Sequence, residues 1–280
     1  MSRRLSNGLA RSVGILSLLW AASSAAAPKS DPWPFWADHD PESEQIVDHG
    51  DWSRLLQRYV RERESGANRF DYGAVSDADR DRLAGYVDTL AAIDPRGLNR
   101  AEQKAYWINL YNALTVQQIL EAYPVGSIRD IRSGLFSPGP WKKDLVSVAG
   151  QSLTLNDIEH RILRPIWQDP LIHYGVNCAS IGCPDLLATA YTGDSVDEQL
   201  AGNARAYVND ARGAQVTDDG LMVSSIYIWF QADFGGSDAG VIEHLRRYAD
   251  PALRKRLDGV RDIDDDRYDW SLNDVAATGS

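Results

Sequence analysis

Ten residues, Ala105-Tyr-Trp-Ile-Asn-Leu-Tyr-Asn-Ala-Leu114, constrain the fold of this chain more than any others. Apolar and aromatic side chains run nearly all the way round a helix there, and a helix without a polar face has to be buried on every side. Asn99-Arg-Ala-Glu102 offers a start and Pro124 a stop, so the spacing predicts one long central helix reaching to about Tyr123. Asn109 and Asn112 interrupt its greasy surface three residues apart, on neighbouring turns of one face. A buried amide without partners costs on the order of 1–3 kcal/mol, so these two either tie loop backbone in place or line a polar cavity.

Around that helix the chain supplies shorter elements. Trp52, Leu55, Leu56, Tyr59 and Val60 recur at helical spacing, as do Leu83, Tyr86, Val87 and Leu90 behind a Ser76/Asp79 capping box. Further helices are expected from Thr154 to near Pro165, from Asp197 to Val208 and from Ala239 to Tyr248, and a short one from Pro184 to Leu187. Short strands are expected at Phe70–Tyr72, Leu145–Val148, Ile172–Asn177 and Leu221–Ser224. No repeat and no linker between separate hydrophobic halves is present. These patterns predict an α+β architecture, a single helix-rich domain over 51–273 packed on a small, mostly antiparallel sheet. Nine Trp, twelve Tyr and a 44% hydrophobic content supply the core. Residues 28–50, rich in Pro and Asp, form an N-terminal arm in which Trp33-Pro-Phe-Trp36 is a candidate contact surface, and 274–280 a flexible tail.

The first 27 residues have the form of a secretory signal: basic Arg3, Arg4 and Arg11, an apolar run from Ser12 to Trp20, and small residues from Ala21 to Ala27. The apolar run is too short to span a bilayer, no later segment reaches the length needed, and no cysteine lies near the cleavage region. The expected location is periplasmic or secreted. Loss of the three arginines takes the formal net charge from −11 to −14 (−11 minus 3). Phosphate backbones and anionic lipid are bound by clustered Lys and Arg, so nucleic acid is an unsuitable partner.

Reactive groups concentrate in Leu171-Ile-His-Tyr-Gly-Val-Asn-Cys-Ala-Ser-Ile-Gly-Cys-Pro184, which holds both cysteines, Cys178 and Cys183, with His173 and Asn177. In an oxidising compartment such a pair can close a local disulfide, worth roughly 2 kcal/mol on the chain-entropy model. Alternatively one thiol is a nucleophile, its pKa lowered by an imidazole or a helix N-terminus. Cys183 precedes the helix expected at Pro184, and Cys178 ends the strand expected to carry His173. On a regular strand His173 and Cys178 would face opposite ways, whereas His160 from the preceding helix avoids that difficulty. Spacing does not rank the two imidazoles. Exchange between the two sulfurs is a third possibility, although the gap is wider than in Cys-x-x-Cys. Glu159 fits a capping pattern with Asn156. His39, His49 and His244 sit among polar residues and are expected to be solvated. A zinc site from His160, His173, Cys178 and Cys183 lacks familiar spacings, and the acidic run at Asp262–Asp266 fails the calcium-loop pattern. With no Walker loop, dinucleotide glycine motif or Gly-x-Ser-x-Gly elbow either, no cofactor is expected.

The chain resembles the family catalogued as domain of unknown function 547. The resemblance is carried by Ala105–Ala113, Leu155-Asn-Asp-Ile-Glu-His160, Ile172–Pro184, Tyr191-Thr-Gly, Trp229-Phe-Gln-Ala-Asp-Phe234 and Tyr268-Asp-Trp-Ser-Leu-Asn273, and runs from about His49 to Asn273. The family also occurs as the C-terminal domain of plant proteins with leucine-zipper segments, where a partner-binding role is implied. A thiol, imidazoles and amides on a small sheet packed by helices are similar to the arrangement in papain- and transglutaminase-like enzymes, an analogy of fold alone. Two functions are therefore expected. In one, Cys178 attacks an amide or ester of a small-molecule or peptide-like envelope substrate, His160 or His173 takes its proton, and Asn177, Asn109 and Asn112 orient the base or bind the oxyanion. In the other, a non-catalytic envelope module binds an envelope protein and its Cys178–Cys183 disulfide is a staple.

Overall fold

The computed structural model describes residues 28–134 and 137–277. The long helix, α3, runs Arg100–Ala122, after α1 (Gly50–Tyr59) and α2 (Asp77–Ala91). Asn99 starts α3 by accepting the backbone N–H groups of Ala101 and Glu102 at 3.1 and 3.0 Å. Every residue from Glu102 to Val116 is buried, as an all-round apolar surface requires. α2 lies against both α1 and α3, and Ser76 caps it by accepting the N–H of Asp79. The N-terminal arm is part of the core: Trp36 is 1% exposed and meets Trp107 of α3 edge-on, 5.1 Å between ring centres. Trp33 and Phe35 are half-buried beside Arg161 and Arg96. The expected contact surface is instead an internal seam, because indole burial outweighs what the proline-rich backbone suggests.

Among the described residues the strands form four small sheets, not one. β1 (Val60–Arg61) pairs with β2 (Arg69–Phe70), β3 (Arg132–Gly134) with β4 (Ser137–Pro138), and β5 (Val146–Val148) with β6 (Gln151–Leu153), all antiparallel. Beyond α4 (Arg164–Trp167) and α5 (Val196–Asn209), β7 (Ala214–Thr217) pairs antiparallel with β8 (Gly220–Ser224). α6 (Ser225–Trp229), α7 (Asp238–Tyr248) and α8 (Pro251–Arg256) follow, and β9 (Asp265–Arg267) then joins β8 in parallel. The α+β class is borne out. Among the described residues, buried side chains gather in two clusters, one around α3, the other around Tyr207, Tyr227, Val241 and Leu245. The stretch 171–186 crosses from one to the other.

Two elements in that stretch depart from expectation. Ile172–Asn177 is no strand: Pro170–Tyr174 is a 3-10 helix, begun by Pro170 and by Asp169, whose side chain accepts the N–H of Leu171 at 2.9 Å. That local cap overrides the alternating pattern. Pro184–Leu187 is no helix either, because its carbonyls are taken by side chains from elsewhere, as described below. The expected signal segment lies outside the described residues. Among the described residues no helix is long and apolar enough to cross a membrane.

Candidate functional site

Cys178 and Cys183 are joined by a disulfide. Cys183 is buried, at 3% exposure, while Cys178 is only partly covered. Three donors converge on the pair. The Cys178 N–H points at Cys183 Sγ, 3.0 Å away. The Tyr268 hydroxyl lies 3.0 Å from Cys178 Sγ and 3.1 Å from Cys183 Sγ. Ser180 Oγ lies 3.2 Å from Cys178 Sγ, 3.5 Å from Cys183 Sγ and 2.8 Å from the Tyr268 hydroxyl. Burial pushes the Tyr268 phenol well above its ordinary range, so it keeps its proton and remains a donor.

The loop behind the sulfurs is irregular backbone, and buried irregular backbone must find side-chain partners. Six consecutive carbonyls do so. Arg212 donates to Ile181 and Cys183, Tyr207 to Gly182, Asn177 to Pro184, Asn203 to Asp185 and Asn68 to Leu186, over 2.6–3.3 Å. Arg212 is itself held by Asp185 and Asp210. On the other edge the N–H groups of Ile181 and Gly182 donate to Ser271 and Asp269 at 2.9 and 2.8 Å. Gly182 permits this approach, since a Cβ there would sit 2.9 Å from the Asp269 nitrogen and from the Tyr268 ring. Ala179, directly after the first cysteine, takes φ +58°, a conformation that disfavours any Cβ.

The imidazoles belong to a charged cluster. Residues Asp157–Leu163 form a π-helical segment leading into α4. Its widened turn leaves the His160 and Arg161 carbonyls to accept the N–H groups of Asp31 and Trp33 from the arm. The expected Asn156/Glu159 cap is replaced by Thr154 and Asp157, which bond reciprocally at 2.6–3.1 Å. Arg164, 5% exposed, donates to Asp233 Oδ2 at 2.6 Å and to His160 Nδ1 at 3.2 Å. His173 Nε2 bonds the same Asp233 oxygen at 2.8 Å and its ring stacks on Phe230. Burial alone would raise the Asp233 pKa, but the bonds from His173 and Arg164 bring it far below the usual carboxylate range. Burial lowers the His160 pKa, and accepting from Arg164 assigns its proton to Nε2. Among the described residues no hydrogen bond joins either sulfur to an imidazole.

The three asparagines are tied to backbone. Asn109 exchanges bonds with Tyr191 (2.8 and 3.0 Å), Asn112 bridges Gly175 and Asn177 (both 2.8 Å), and Asn177 bridges Ala179 and Pro184 (2.8 and 2.7 Å). Of the two readings of Asn109 and Asn112, the one in which they fasten loops describes these bonds. His49 and His244 are buried, at 5% and 7% exposure, and not solvated: each bonds a tyrosine hydroxyl, Tyr86 at 2.6 Å and Tyr174 at 2.7 Å. Burial lowers both pKa values to about 4. His39 is exposed. Ser180, Tyr268, Arg164 and Asp233 were not among the candidates from spacing. Tyr268 and Asp233 do stand in two of the motifs that carry the family resemblance. Among the described residues no group of three His, Cys, Asp or Glu is placed to hold a metal.

Beside the disulfide runs a row of half-buried rings. Trp141 meets Trp270 (5.8 Å), Trp270 meets Trp229 and Tyr268 (5.7 and 4.6 Å), and Trp229 meets Tyr268 (4.8 Å). Arg129 lies over the Trp270 ring. The row joins the rims of the two hydrophobic clusters. A cavity of about 540 Å³ between α1 and α2 is lined by Asp51, Arg54, Leu55, Arg58, Asp79 and Arg82 and shares no residue with either centre.

Residues 95–208 match the model of a family described as "Protein of unknown function, DUF547". The expected resemblance is therefore borne out over the segment containing α3, both imidazoles and both sulfurs. Asp233, Tyr268 and two of the tryptophans of the aromatic row lie beyond it. No curated protein and no solved structure matches the chain.

Proposed function

We propose, from the premise that residues 95–208 carry a DUF547 domain, that this protein is an exported binding domain of the cell envelope, stapled by its disulfide. The observation that carries the proposal is the partnering of the sulfurs: they are bonded to each other, with hydroxyls around them, and the imidazoles are engaged elsewhere. A thiol hydrolase needs a thiolate, a base within reach of it and free donors for an oxyanion. Here Asn109, Asn112 and Asn177 spend their amides on backbone. The row Trp141, Trp229, Tyr268 and Trp270 supplies half-buried rings of the kind that dominate recognition surfaces. Export is supported by the basic, apolar and small-residue pattern of the first 27 residues.

Two measurements on the same variants test this. Cys178→Ala and Cys183→Ala are expected to lower the unfolding free energy by a similar amount, about 2 kcal/mol. Exposure of the reduced protein to p-nitrophenyl acetate is expected to give no more acylated enzyme or turnover than the Cys178→Ala variant gives. Cys178-dependent turnover, with Cys178→Ala as stable as the parent, would instead establish the thiol hydrolase.

A further inference from the structure

We infer that the Cys178–Cys183 bond is a thiol–disulfide exchange site for a dithiol, with Cys178 Sγ the atom attacked and Cys183 Sγ the leaving group. The inference rests on the disulfide of the stapled-domain reading and adds a chemistry and a regulation to it. Three observations point the same way. First, the two residues differ in exposure: Cys178 is partly exposed and Cys183 is buried, so an incoming thiolate meets Cys178 first. Second, the donors around the pair are mismatched to a disulfide and suited to a thiolate. Neutral disulfide sulfur is a weak acceptor, yet the Tyr268 and Ser180 hydroxyls lie within 3.0–3.5 Å of both sulfurs, and the Cys178 N–H adds a third donor 3.0 Å from Cys183 Sγ. Each of these contacts strengthens as negative charge develops on that sulfur, which is the condition for a good leaving group. Third, the backbone is held independently of the bond. Carbonyls 181–186 and the N–H groups of Ile181 and Gly182 are fastened to Arg212, Tyr207, the asparagines and the 269–271 segment. Opening the bond therefore leaves the two cysteines facing each other, ready to close again.

A thiolate of the dithiol attacks Cys178 Sγ, the Cys178–Cys183 bond breaks, and its electron pair passes to Cys183 Sγ. The second thiol of the partner, deprotonated in turn, attacks its own sulfur in the mixed disulfide and expels the Cys178 thiolate. The partner is oxidised by two electrons to its disulfide and the domain is reduced by two. The two protons given up by the partner are available to the two cysteines. Tyr268 also belongs to the aromatic row, so the pair and that surface share a side chain.

The experiment uses the oxidised full chain as exported. Its reduction by dithiothreitol is followed at neutral pH without denaturant, by acid quenching, alkylation and intact mass. Native-state reduction is expected, with Tyr268→Phe and Ser180→Ala each slowing it about tenfold through loss of one donor to the leaving sulfur. A limiting monothiol is expected to leave its mixed disulfide on Cys178 in the peptide map. Reduced thioredoxin, run beside dithiothreitol at equal thiol concentration, separates the two sources of a dithiol: faster reduction by thioredoxin assigns a protein, and faster reduction by dithiothreitol a small molecule. A disulfide that stays intact until urea unfolds the chain would overturn the exchange while leaving the stapled domain standing. So would a mixed disulfide on Cys183, or variants that react at the parental rate. Two free thiols in the protein as exported would overturn both.

Discussion

The sulfur centre and the imidazole centre lie close in the chain, since His173 precedes Cys178 by only five residues, yet they are built from opposite chemistry. Directly against the sulfurs stand neutral groups, the Ser180 and Tyr268 hydroxyls and the Cys178 N–H, with the Arg212 ion pairs set behind them on the carbonyls of the loop. Around the imidazoles stands an ion pair, Arg164 with Asp233, which also takes the polar atom of His173. The separation comes from the 3-10 helix at Pro170–Tyr174. It directs His173 towards residue 233, while the following backbone carries the cysteines to residue 268. Adjacent reactive residues thus serve different partners, and the partners decide the chemistry.

The largest effect expected is on acid stability, where buried imidazoles act and the sulfurs do not. His49 and His244 have folded pKa values of about 4 against an ordinary 6.5. The unfolded chain therefore takes up protons below pH 6.5 that the folded one refuses, so their contribution is present above that pH and is lost as pH falls towards 4. From pH 7 to pH 5 the loss is about 2 kcal/mol for each of them. His160, also lowered, acts in the same direction, and the Asp233 carboxylate adds a further loss below the ordinary carboxylate pKa. The disulfide adds no titrating group. Urea unfolding at the two pH values, with and without the disulfide, checks this: equal pH slopes are expected.

Next in size is removal of the ion pair. Asp233→Ala strands the buried Arg164 guanidinium and is expected to cost about 3 kcal/mol in urea unfolding. The rate at which dithiothreitol reduces the disulfide should change less than twofold, because Asp233 touches neither sulfur. A large change in that rate would couple two centres whose sulfurs and imidazoles share no hydrogen bond among the described residues. The smallest effect concerns Ala179. Glycine for alanine ordinarily destabilises, but at φ +58° removal of the Cβ relieves a local conflict. Ala179→Gly should therefore lie within about 0.5 kcal/mol of the parent, measured the same way.

The parts of this arrangement governed by short-range rules are legible in the residue order. The Asn99 and Ser76 caps, the buried length of α3 and the backbone-tying role open to Asn109 and Asn112 all follow from spacing and composition. The parts decided by distant residues are not. Asp233 lies 60 residues from His173, and Tyr268 lies 90 from Cys178, so no local pattern pairs them. The alternation over Ile172–Asn177 suits a strand, yet Asp169 and Pro170 start a helical turn that the alternation cannot oppose. Pro184 suits a helix start, but a helix would need carbonyls that Asn177, Asn203 and Asn68 have already taken. His49 and His244 have polar sequence neighbours and are nonetheless buried, each against a tyrosine brought from another element. Spacing also leaves open whether the cysteines are a staple or a nucleophile and its neighbour.

The most direct test is the covalent state of the two sulfurs in the full chain as purified without reductant. Intact mass is measured on the full chain after iodoacetamide treatment under native conditions, without reductant and then with it. An unmodified chain is expected, lighter by two hydrogens than the reduced form, with two alkyl groups only once reductant is present. An alkyl group on Cys178 before any reductant is added would contradict it, and would place a free thiol where the structure has a disulfide.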